Sequence, residues 1–458
     1  MPIGHVRAVR WAAVGWCLAH AAMAPPSAAQ PAAPEDPERT CLGAERAGTA
    51  DGVATYTGRW VGHWPGLQQA HGYTPGPYAD EKPVLTITAQ NMAQHADRLT
   101  EGQKALFKAY PDHFRMRIYP SHRDFGVPDW VCAAARHNAQ HATLGDEGLS
   151  VRGAVGGAPA FPFPRDGLEA IRSVQTAYRA WTEKAEFDVA TVYPGGQIAW
   201  GRYRLMTMSP MHKPGPQRPS LSERIGTYFY AAMLLPERDR GRVSVGFQAN
   251  NFTEGSTHAW EYQPGTRRVR QAPEVGFDYP VPPTGMHTSD EDGGFNGSPE
   301  RYQWTLVGKK ALYVPYHNFR INDPALTYRE LLTPYTLNPE LLRYELHRVW
   351  IVEATLKPGM RHIYARRRLY IDEDSWQVLT ADHYDARGSL WRIPVSLSFY
   401  AQEAAAFHRG VQIFHDLDAR AYEAINLVNE RGAENGWRFN TPMNPAMFAP
   451  EAAARPLR

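Results

Sequence analysis

Few residues of this chain stand at spacings that do chemistry. His137 and His141 are four apart on a predicted helix, where two imidazoles can share a metal. Asn138 follows His137, so the glutamate base of a metalloprotease is missing, and a solvated helix face is the expectation. Asp372, Glu373 and Asp374 could bind calcium, but they fall between two predicted strands and read most simply as a hairpin turn. Asp382, His383 and Asp385 could supply acid–base groups. Strand alternation puts Asp382 opposite His383. His383 and Asp385 share a face with no nucleophile evident beside them, which reads as a solvated strand end. The basic clusters Arg267–Arg268 and Arg366–Arg368 read as solvated faces, with contact to anionic lipid or a partner as the minority alternative. G-x-S-x-G, H-E-x-x-H, Walker A and G-x-G-x-x-G patterns are missing. These residues by themselves assign no catalytic site, no metal and no cofactor.

What must position these residues begins after an export segment. Arg7 and Arg10 precede an apolar run from Trp11 to Ala24, 14 residues long and shorter than the ~20 that span a bilayer. Pro25 blocks the first small-residue site, so cleavage is expected after Ala29, with residues 1–29 a signal peptide. Cys17 lies inside the apolar run. Its removal leaves Cys41 and Cys132, an even pair in an oxidising compartment, which reads as one disulfide, with two separate buried thiols as the alternative.

The 458 residues are 43% hydrophobic and 21% charged, enough apolar material for a sizeable core. A net charge of +2 offers no basic excess to hold a phosphate backbone, so no nucleic-acid partner is expected. One domain is expected over 30–458. It is helix-rich over 85–185, strand-rich over 186–400 and an irregular tail over 429–458. Helices are predicted from Asn91 to about Tyr110, from Val131 to Thr143 and from Leu168 to about Lys184. The last carries a stripe of Leu168, Ile171, Val174, Tyr178 and Trp181. After residue 185 the period drops to two. Strands are expected at 187–193, 197–208, 227–235, 243–248, 259–263, 267–271, 303–307, 312–315, 347–356, 362–371, 377–385 and 389–400. Residues 402–427 stay open between strand and helix. Early helices followed by consecutive strands with short turns imply an α+β fold built on an antiparallel meander.

The strands are apolar on both faces, which a sheet with one wet side would not be. Either ordinary core or a second sheet covers the second face, or an apolar cavity lies there, fit for a greasy ligand. In the cavity reading the candidate lining residues are Trp350, Val352 and Leu356 on one strand, and Tyr228, Tyr230 and Leu234 on another.

Several segments together resemble the bacterial DUF1329 family: Leu42 to Gly52, EKPVLTITAQNM (81–92), LTEGQKALFKAYP (99–111) and FRMRIYPSHR (114–123). Further along, RRVRQAPEVGFD (267–278), DGGFNGSPERYQWTLVGKK (292–310), HRVWIVEATLK (347–357) and YIDEDSWQVLTADHYDARGSLWR (370–392) match it too. The resemblance implies a periplasmic protein with a fold like the lipoprotein carriers LolA and LolB, a curved antiparallel sheet, or incomplete barrel, closed by helices. It also implies carriage of a lipid or other hydrophobic molecule beside an RND-type transporter and an outer-membrane protein. It implies no catalytic residues. A lipid-acting hydrolase with His383 or an Asp as base, and a structural adaptor without a cavity, are the alternatives.

Overall fold

The computed structural model describes residues 36–67, 73–215, 218–272, 277–432 and 434–455. The export segment expected over 1–29 lies outside them.

Helix α1 (Glu101–Ala109) starts at a capping box. Thr100 Oγ1 accepts the Gln103 N–H at 3.0 Å, and Gln103 Oε1 accepts the Thr100 N–H at 3.0 Å. The single helix expected from Asn91 is therefore two pieces, a 3₁₀ stretch over Met92–Arg98 and then α1. Asn91 does not cap by its side chain; its amide oxygen accepts the Thr88 N–H instead. Helix α2 spans Asp129–His141 and α3 spans Gly167–Thr176, the latter capped by Asp166. The expected continuation of α3 to Lys184 does not occur. Tyr178 donates its O–H to the Ala404 carbonyl at 2.5 Å, Asn440 Oδ1 accepts the Trp181 N–H, and the chain joins the sheet from Thr182. Strand pairing there overrides the helical stripe. α4 (Tyr328–Leu331) and α5 (Pro450–Ala453) are single turns.

Strands β1 (Leu85–Ile87) and β2 (Met116–Ile118) form one edge of the sheet, and β3 (Thr143–Gly145) with β4 (Ser150–Arg152) is a separate hairpin. A first meander runs through β5 (Thr182–Val192), β6 (Ile198–Met208), β7 (Ile225–Leu235), β8 (Val243–Ala249), β9 (Thr257–Gln263) and β10 (Arg268–Gln271). A second runs through β11 (Tyr302–Pro315), β12 (Tyr344–Leu356), β13 (Arg366–Asp372), β14 (Val378–Tyr384), β15 (Leu390–Ala401), β16 (Ala406–Asp416) and β17 (Ala421–Leu427). β17 pairs antiparallel with β5 and joins the two meanders into one 16-stranded sheet; β18 (Arg438–Phe439) adds to β5. The two strands expected at 303–307 and 312–315 are one, β11, bulged between Leu306 and Gly308. Residues 402–427 resolve into β16 and β17, and the tail expected to be irregular carries β18 and α5.

The sheet curls. Met116 and Ile118 of β2 share a core cluster with Tyr422 and Ala424 of β17, though β12 to β16 lie between those strands along the sheet. Leu106 and Phe107 of α1 fill the same cluster. Among the described residues the end strands β1 and β10 do not pair with each other, so the sheet is not closed. Helix α3 lies on the strands at van der Waals limit: a Cβ on Gly167 would sit 2.5 Å from the Thr305 backbone nitrogen. No described helix is long and apolar enough to cross a membrane.

Candidate functional site

Both faces of β12 are covered. Val349 packs with Leu312, Val314 and Tyr370 on one side. Val352 lies on the other, in a cluster with Ala170, Ile171 and Val174 of α3 and with Leu369 of β13, and is 0% exposed. Trp350 joins that cluster at its edge, 6.2 Å from the ring of Trp376, with Lys309 Nζ 4.3 Å from its centroid. Leu356 is half-buried at the strand end. On β7, Tyr228 and the buried Tyr230 belong to a different cluster, capped by the C-terminal segment through Phe448, whose ring stacks on Tyr228 at 5.7 Å. Leu234 is half-buried. The structure thus brings Trp350 and Val352 together, and Tyr228 and Tyr230 together, but keeps the two pairs apart. None of the six lines either of the two clefts described below.

An apolar cleft among the described residues lies elsewhere. Trp64, Phe319, Phe399, Tyr400, Trp437 and Phe439 wall an opening of about 70 Å³. The rings meet edge to face: Trp64 with Phe319 at 5.7 Å, Trp64 with Tyr400 at 6.4 Å, and Phe399 with Phe439 at 6.4 Å. Tyr400 is fixed by donating its O–H to the Gly126 carbonyl at 2.9 Å and accepting the Gly62 N–H at 3.1 Å. Gly76 lets its segment lie flat on Phe319, since a Cβ there would reach the ring at 2.4 Å. Trp437 stacks parallel to Phe439 and its Nε1 has no hydrogen-bond partner, a polar handle at an apolar wall. These residues escaped the sequence reading because they come from four separated stretches of chain. The only available signal was aromatic richness.

Several of the polar candidates, and Glu345 which the sequence reading did not single out, sit in buried ion networks rather than in solvent. Glu345 accepts from Arg343 Nε at 2.6 Å and the His122 N–H at 2.9 Å, and contacts His317 Nδ1 at 2.8 Å and His347 Nε2 at 3.1 Å. Burial would raise its pKa, but His317 and Arg343 outweigh it and hold the carboxyl well below the usual range. In the turn Asp372–Glu373–Asp374 the first two residues are buried and Asp374 is half-buried. Arg123 Nε donates to Asp374 Oδ2 at 2.7 Å, and its Nη2 to Asp374 Oδ1 at 2.8 Å and Glu373 Oε1 at 3.0 Å. Arg348 and Lys309 complete the Glu373 shell at 2.7 and 3.0 Å. Both arginines also donate to the Glu45 carbonyl, which ties the N-terminal segment to the sheet. Burial, then the neighbouring Asp374, pushes Asp372 up to about 6. His347, Asp372 and Asp374 could offer three ligand atoms to a cation. Arg123 already engages both Asp374 oxygens, so the cluster is neutralised from within.

Two expectations of solvated faces are corrected. Arg367 is 0% exposed and its Nη2 donates to both oxygens of Asp290 at 2.9 and 2.8 Å. His383 is also 0% exposed, with Nδ1 3.1 Å from Glu291 Oε1, and burial lowers its pKa. Asp382, on the opposite face, is buried too. It accepts the Tyr370 O–H at 2.7 Å and the Gly102 N–H at 2.9 Å, and burial raises it to about 6. The missing signal was the partner: Asp290 lies 77 residues upstream of Arg367, and Glu291 is further still from His383. His137 and His141 are exposed as expected, their rings stacked at 4.3 Å. Cys41 and Cys132 are bridged, with Cα atoms 5.2 Å apart.

The profile of the DUF1329 family, described as a protein of unknown function, matches residues 86–454. An uncharacterized protein of Pseudomonas aeruginosa is 38% identical over 416 residues, covering 90% of each chain. Among solved structures, a DUF1329 family protein from Desulfovibrio piger is similar at 14% identity and a TM-score of 0.42, over 62% of this chain and 95% of its own. A LolA superfamily protein from Nitrosomonas europaea is similar at 9% identity and a TM-score of 0.37, over 62% of this chain and 98% of its own.

Proposed function

The chain belongs to the DUF1329 family, and on that premise we propose that it is an exported, non-enzymatic carrier of a lipid or another hydrophobic molecule. The observation that carries the reading is the aromatic cleft formed by Trp64, Phe319, Phe399, Tyr400, Trp437 and Phe439. At about 70 Å³ it is far smaller than the ~300–1,000 Å³ of a drug-sized pocket, so it seats one end of a ligand, a ring or a few methylenes. Each CH₂ it withdraws from water contributes about 0.8 kcal/mol, which suits a grip that must also release. The six strand residues join the ligand surface only if their covers move: α3 from Trp350 and Val352, and the C-terminal segment from Tyr228 and Tyr230. Leu356 and Leu234 continue those two faces.

In this reading residues 1–29 are removed on export, residues 30–458 act as one domain in the periplasm, and the disulfide suits that compartment. Transfer between an RND-type inner-membrane transporter and an outer-membrane protein follows from the family resemblance alone. The test is binding of a fluorescent fatty-acid probe to the mature protein, with native mass spectrometry of protein taken from its host's periplasm. Val428 lines the cleft and is 9% exposed. A Val428→Asp variant that keeps its thermal transition should bind the probe at least tenfold more weakly. A parent that binds no probe and carries no ligand refutes the carrier.

A further inference from the structure

Six arginines are buried among the described residues: Arg123, Arg172, Arg343, Arg348, Arg367 and Arg392. Five of them face a carboxylate. Arg123 and Arg348 pair with Glu373, Arg343 with Glu345, Arg367 with Asp290 and Arg392 with Asp416. Arg172, on α3 and 1% exposed, has none. Its Nη1 donates to Gln175 Oε1 at 2.6 Å and its Nη2 to the Asn250 carbonyl at 2.6 Å, while Nε has no partner. The Phe252 ring lies 4.8 Å from Cζ. A buried cation without a counter-ion is among the costlier arrangements in a protein, and here burial alone lowers the group to about 9.

Arg172 lines a cavity of about 90 Å³, separate from the aromatic cleft. Arg179 lines it as well, its Nη2 donating only to the Gln175 carbonyl at 2.7 Å. So do Arg409 and Asp292, paired at 2.5 Å, and Glu183, whose pKa burial raises. Three guanidinium groups thus face two carboxylates. His408 adds no charge, because burial and then Arg409 push it down to about 3. The cavity therefore holds one excess positive charge, and the Arg172 guanidinium at its wall has no counter-ion.

We propose that this cavity is an anion site, in which Arg172 and Arg179 receive a carboxylate or phosphate group, carried free or as the head of an amphiphile. A planar guanidinium is suited to an oxyanion, and an oxyanion in the cavity supplies the charge that Arg172 lacks. The volume admits a small oxyanion head but not an acyl chain, so an amphiphile would leave its tail outside this cavity.

The test uses the full mature protein and two readouts, intrinsic fluorescence, since Trp376 lines the cavity, and the thermal transition. Probes are inorganic phosphate, acetate, dodecanoate and dodecanol, each against sodium chloride at equal ionic strength. At least one of phosphate, acetate and dodecanoate should saturate and raise the transition. Arg172→Met should weaken that anion at least tenfold, and Arg172→Lys less. Preference for dodecanoate over acetate identifies an amphiphile head; preference for phosphate or acetate identifies a free anion. Dodecanol binding should be the same in parent and Arg172→Met, which separates this site from the aromatic cleft. If Arg172→Met does not fold, Arg179→Met takes its place with the same expected loss. No saturable response to any anion in the parent, or undiminished anion affinity in the folded variants, overturns the proposal.

Discussion

His415 should act as an acid fuse. It is 2% exposed on β16, with Nε2 3.4 Å from Thr336 Oγ1 and Nδ1 3.4 Å from the Ile393 carbonyl, and with no carboxylate in contact. Burial pushes its pKa down to about 4 against 6.5 for the free side chain. The folded state therefore resists a proton that the unfolded chain accepts, so stability is intact above pH 6.5 and drains as pH falls towards 4. At about 1.36 kcal/mol per pKa unit, the loss attributable to this one group is about 2 kcal/mol by pH 5 and about 3 kcal/mol by pH 4. The perturbation is His415→Gln, which removes the titration and keeps a polar side chain of similar reach. Urea unfolding of parent and variant at pH 7.5, 6 and 5 isolates this one imidazole, because every other titrating group, His408 and Asp372 included, is common to both. The parent should lose about 2 kcal/mol more than the variant between pH 7.5 and 5. Stability curves that stay parallel within about 0.5 kcal/mol refute the reasoning.

The Cys41–Cys132 bridge closes a loop over a separation of 91 residues, and its removal in a Cys41→Ser, Cys132→Ser double variant should cost roughly 4 kcal/mol in urea, with two reactive thiols absent from the unreduced parent. A loss below about 1 kcal/mol would mean the Arg123 and Arg348 anchors on Glu45 already restrain the segment. Val352→Asp strands a carboxylate beneath α3 and should destabilise by about 3–5 kcal/mol in thermal or urea unfolding; a folded variant that binds the fatty-acid probe as the parent does would remove that face from the ligand surface. Gly167→Ala drives a Cβ to 2.5 Å from the Thr305 nitrogen, backbone against backbone, and should cost about 1–3 kcal/mol by urea titration, where a neutral result would mean α3 is free to lift.

The local grammar of the fold is legible along the chain. Period-two runs with Pro-Gly turns marked nearly every strand of both meanders, because alternation and turn chemistry act over a few residues. Apolar residues on both strand faces announced a sheet covered on both sides, which Val349 and Val352 bear out from opposite faces of β12. Even the split of the first helix was written in the Thr100–Gln103 capping box, though a reading by apolar period passes over it. What pairs across distance becomes visible only in the folded molecule. The bond between β17 and β5, which turns two meanders into one sheet, joins Tyr422 to Val192, and no local pattern encodes a partner more than two hundred residues away. The same holds for charge. Arg367, His383 and Asp372–Asp374 look solvated along the chain, and become affordable in the interior only where the fold supplies Asp290, Glu291 and Arg123. Arg172 is the converse case. Nothing in the sequence separates it from the other arginines, and its missing counter-charge became visible only once the fold had surrounded it, because burial and partnership are properties of neighbours rather than of the residue.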